Sequence, residues 1–118
     1  MKNPFSFEQF LKILEQDDCY AVDETSFYFE DDPDERDHML GCIRDFEKPY
    51  WIGYCDVQGG CEFESAEELL SAEVFNGKSI KERWDHVVFC NVGGISIDDW
   101  LHSYPKLPVE TKIEREMR

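Results

Sequence analysis

The chain has 118 residues, the length of one domain, and is 42% hydrophobic and 14% aromatic, which argues against global disorder. Its formal net charge of −15 disfavours nucleic acid and anionic membranes as ligands and favours a basic partner. It has no apolar run of membrane-spanning length and no signal-peptide core, so the expected setting is the cytosol.

Taken in order, the first element is a helix over about Phe7–Gln16. Ser6-Phe7-Glu8-Gln9 fits a capping box, Phe5 and Phe10 occupy hydrophobic-staple positions, and Phe7, Phe10, Leu11 and Leu14 form one apolar stripe. Cys19–Asp23 and Ser26–Glu30 read as a hairpin turning at Glu24-Thr25. Asp31-Asp32-Pro33-Asp34-Glu35 reads as a wet loop in which proline blocks strand pairing. His38–Arg44, Pro49–Val57 and Cys61–Phe63 read as a meander, with Gly59-Gly60 supplying the backbone freedom of a hairpin turn.

The capping pattern recurs at Ser65-Ala66-Glu67-Glu68 and Ser79-Ile80-Lys81-Glu82, and more weakly at Ser96-Ile97-Asp98-Asp99. Each precedes a short apolar helical pattern that must pack on something to persist. Val87–Val92 is a further strand, ended by Gly93-Gly94. The expected fold is α+β: an antiparallel sheet of about five or six strands, with short helices packed on one face. Residues 1–104 form the domain, and 105–118, broken by Pro105 and Pro108, form a peripheral tail.

Between Glu15 and Asp37 there are eleven acidic residues in twenty-three positions, with Arg36 the only base. One reading is a solvated surface; the other is an anionic face that fills a cationic groove, weakening with salt. Glu30, Asp31, Asp32, Asp34, Glu35 and Asp37 are the expected partner contacts. The same run lacks the glycine and terminal glutamate of a calcium-binding EF-hand loop.

Five cysteines cannot all pair within the chain, and a reducing compartment disfavours structural disulfides. Cys55 and Cys61 flank the glycine turn, where opposed β-carbons lie about 5 Å apart. With Cys42 and Cys90 they could bind a structural zinc ion, with His38, His86 or Asp56 as substitutes. The alternative is that they are small buried hydrophobes. Trp51, Trp84 and Trp100 read as core residues with their indole N–H groups satisfied, and the three histidines as half-exposed. Cys55, His86 and Asp85 are types that could form a thiol nucleophile and base, but no local signature or phosphate-binding pattern accompanies them, so no enzymatic activity is expected.

In size and charge the whole chain resembles the small acidic proteins that phages and mobile elements encode against bacterial defence nucleases. Among these it looks most like an anti-CRISPR protein acting on a type II effector nuclease, some of which are metalloproteins. That resemblance implies a host bacterial cytosol and an acidic wedge that blocks DNA from a basic channel. An immunity protein or antitoxin against a basic nuclease toxin would use the same physics; a soluble adaptor would not depend on the acidic loop.

Overall fold

The computed structural model describes residues 3–16, 19–34 and 36–103, and every statement below concerns those residues. Ser6 starts helix α1, Phe7–Glu15. Its hydroxyl accepts from the Gln9 N–H at 3.1 Å, and the Gln9 side chain accepts from the Ser6 N–H at 2.7 Å, closing the expected capping box. Phe5 and Phe10 meet with ring centroids 5.6 Å apart, as the staple requires. Phe10, Ile13 and Leu14 are fully buried, so the apolar stripe faces the core.

Five strands follow: β1 (Thr25–Phe29), β2 (His38–Cys42), β3 (Tyr50–Gly53), β4 (Cys61–Phe63) and β5 (Val87–Asn91). They form one antiparallel sheet in the order β4-β3-β2-β1-β5. The meander β2-β3-β4 is the one expected. The hairpin over Cys19–Asp23 is not: that segment is a 3₁₀ helix, Cys19–Val22, and β1 pairs instead with β2 and β5. Side chains claim the carbonyls a ladder would need. Trp100 Nε1 donates to the Ala21 carbonyl at 2.6 Å, and Thr25 Oγ1 donates to Val22 at 2.7 Å.

Two further helices are α2 (Ala66–Ser71) and α3 (Ile97–Ser103), and the hydroxyls of Ser65 and Ser96 accept from Glu68 and Asp99 N–H groups as the caps predict. Ser79 and Glu82 also make a reciprocal box, but no α-helix follows. The chain tightens into turns and a 3₁₀ helix, Trp84–His86, that delivers Val87 to β5.

Strand residues alternate. Phe27, Phe29, Leu40, Tyr50, Ile52 and Phe89 join the buried faces of all three helices in one core, so the helices occupy one side of the sheet. Trp100 is the largest fully buried side chain. The opposite side carries Tyr28, Met39, Trp51, Gly53, Glu62 and Val88, which lie outside that core. No helix among the described residues is long and apolar enough to cross a membrane. The tail expected at 105–118 lies outside the described residues.

Candidate functional site

The β1–β2 loop carries the densest acidic run, and it is built on a buried cation. Arg83 is 7% exposed and lays its guanidinium 3.9 Å above the Phe29 ring. It hydrogen-bonds Asp31, and reaches Asp32 Oδ1 at 2.7 Å. The hydrogen bond from Arg83 holds the Asp31 carboxyl below the usual range. Burial works against the Arg83 charge, but its bonds to Asp32 and Asp31 outweigh that and raise its pKa. Glu30 lies 3.7 Å from the His86 ring, and its N–H donates to the His86 carbonyl at 2.9 Å.

The six expected contacts therefore divide. Asp31 and Asp32 brace the loop through Arg83, and Glu30 faces His86. Asp34 and Asp37 are exposed, and Glu35 lies outside the described residues. A residue that the sequence offered only as a substitute metal ligand joins them. Asp56 accepts from the Asn76 N–H at 2.6 Å, and its other oxygen sits 3.8 Å from Arg36, so the turn after β3 contributes to the same acidic end of the molecule.

Beneath this end lies His38, which is buried to 2% exposure, not half-exposed as expected. Its ring packs against Phe27, Phe29 and Phe75, with the closest centroid at 4.7 Å. Nδ1 hydrogen-bonds the Tyr54 carbonyl, so it carries the proton; Nε2 is buried without a partner. Burial pushes the His38 pKa down. Tyr54 above it adopts φ 55°, a left-handed backbone rare for an aromatic residue, and its ring is 70% exposed. His86 is exposed and ends the 3₁₀ helix before β5; His102 is exposed on α3.

The four-cysteine set is not assembled. Cys61 is on the edge strand β4, and Cys90 is on β5 at the opposite edge, where its thiol reaches Asp37 Oδ1 at 3.8 Å. Cys42 is buried in the core and disulfide-bonded, which corrects the expectation of reduced thiols throughout and removes it from a metal set. Cys55 and Cys61 do meet, thiol to thiol, although Cys61 opposes Ile52 in register. Burial, then Cys55, raises the Cys61 pKa; burial, then Asp37, raises that of Cys90. No three His, Cys, Asp or Glu side chains among the described residues converge to hold a metal, and His38, His86 and Asp56 do not complete such a group.

Trp84 and Trp100 donate to the Phe5 and Ala21 carbonyls, as expected of packed indoles. Trp51 does not join the core, and its Nε1 is buried without a partner among the described residues, so the expected satisfied indole is not found here. It lies on the open sheet face, and a Cβ at Gly41 would fall 2.4 Å from its ring, so the indole rests directly on that glycine. Beside it runs a groove of about 470 Å³ lined by Met39, Trp51, Gly53, Tyr54, Cys61 and Glu62 among others. The groove went unnoticed in the sequence because period-two alternation names the two faces of a sheet without saying which one helices cover. The chain matches no protein-family model, no curated protein and no solved structure, so its chemistry rests on this geometry.

Proposed function

We propose that this chain is a protein inhibitor that binds a basic nucleic-acid-handling protein and blocks its access to DNA, without making or breaking bonds. The observation that carries the reading is the acidic end of the sheet. Glu30, Asp31, Asp34 and Asp37 are exposed there on a loop pinned from below by the buried Arg83, and Asp56 is exposed on the neighbouring turn after β3. A pinned loop loses little conformational entropy on docking, and a fixed anionic surface complements a cation-lined channel. The partner implied by the resemblance in size and charge is a type II CRISPR effector nuclease, which holds its guide–target duplex in such a channel.

The test is displacement of labelled target duplex from the guide-loaded effector. The wild-type chain should displace it, and the variant Glu30→Lys/Asp34→Lys/Asp37→Lys should lose at least about tenfold in potency. Asp31 and Asp32 stay unchanged because they hold Arg83. Duplex binding indifferent to the wild-type chain, or equal potency of the variant, would overturn the proposal.

A further inference from the structure

The groove on the open sheet face has the composition of an arginine receptor. Tyr54 and Trp51 contribute aromatic surface, Met39 a soft apolar wall, and among the described residues Glu62 is its only charged lining residue. Gly53 lines the groove without a side chain of its own. The buried His38 holds the Tyr54 carbonyl, so the ring stays outward in its unusual left-handed conformation. An exposed aromatic kept in a sparsely populated backbone state by a buried hydrogen bond is a feature that folding alone does not require.

We propose that this groove receives an arginine side chain from a basic segment of the partner, its guanidinium stacked on Tyr54 and Trp51 and paired with Glu62. This rests on the proposed function, because it presumes a basic partner. Charge complementarity selects a cation: among the described residues the groove holds a carboxylate and no base, on a molecule of net charge −15. The flat aromatic surfaces select guanidinium over ammonium, because a planar fork stacks and pairs at once. The same chemistry occurs inside this fold, where Arg83 stacks on Phe29 while binding Asp31 and Asp32.

The test is calorimetric titration of the full chain with hexa-arginine and hexa-lysine, with chemical shifts locating the bound peptide. Hexa-arginine should bind several-fold more tightly than hexa-lysine and shift β3 and β4. Tyr54→Ala should reduce hexa-arginine affinity about fivefold and abolish the preference, and Glu62→Gln should reduce it about threefold. Both side chains are exposed, and thermal unfolding checks that the variants fold. The Glu30→Lys/Asp34→Lys/Asp37→Lys variant should weaken both peptides alike and keep the preference, so failure of the loop reading and failure of the groove reading give different patterns. Equal affinity for the two peptides, no effect of Tyr54→Ala, shifts confined to other faces, or self-association through β3 and β4 would each overturn the proposal.

Discussion

Arg83 directly follows the Ser79–Glu82 capping pattern, which gives no hint of its role, yet it organises the acidic loop. Its side chain is 8% exposed, whereas Asp31 is 43% exposed and can turn to water. Arg83→Leu should therefore cost about 2–3 kcal/mol in urea unfolding, because Asp32 is left buried without its partner, and Asp31→Asn less than about 1 kcal/mol. His38 gives a pH signature. Its folded pKa is lowered, so the unfolded state takes up its proton first as pH falls. The stability it contributes is complete above the unfolded value of about 6.5 and is lost as pH falls through the lower folded value. Unfolding midpoints measured from about pH 7.5 to 5 should fall for the wild type and much less for His38→Phe. The Asp31 contribution, also from a lowered pKa, is lost only below its ordinary value of 3.8, so the two windows separate. Cys90 is exposed, but burial of its sulfur and the Asp37 carboxylate keep it protonated; Asp37→Asn should speed its alkylation several-fold at about pH 8.

At the scale of elements, local signals and short-turn pairings are legible in the sequence, and long-range pairing is not. Ser6 with Gln9 located α1 because a cap is satisfied within four residues of chain. The β2-β3-β4 meander was legible from short turns and alternating residues. The pairing of β1 with β5 was not, because it joins segments far apart in sequence and no local pattern records it. Ser79 with Glu82 shows the converse: the box forms, but turns and the 3₁₀ helix Trp84–His86 follow in place of an α-helix, so a cap alone does not fix what comes after it. Of the candidate site, the exposed acids were visible in the sequence, while the bracing of Asp31 and Asp32 and the Tyr54 groove depend on which segments meet. Gly41 belongs to this scale too. A Cβ there would come within 2.1 Å of Asp23 Oδ1 and 2.4 Å of Trp51, so Gly41→Ala should destabilise by about 1–3 kcal/mol in denaturant titration and disturb the open face.

Across the whole molecule, the helices cover one side of a five-stranded sheet, and the acidic end and the groove adjoin through Tyr54, whose carbonyl His38 holds beneath the β1–β2 loop. A net charge of −15 repels itself, and the fold confines part of that charge by pairing Asp31 and Asp32 with Arg83 while Asp34 and Asp37 stay exposed. Docking through such a surface should weaken steeply as salt rises from about 0.05 to 0.5 M. The most direct test is hydrogen exchange of the chain alone and bound to the guide-loaded type II effector. The account predicts new protection over the β1–β2 loop and over β3 and β4, with α2 and α3 unchanged; protection confined to the helical side, or none, would contradict it.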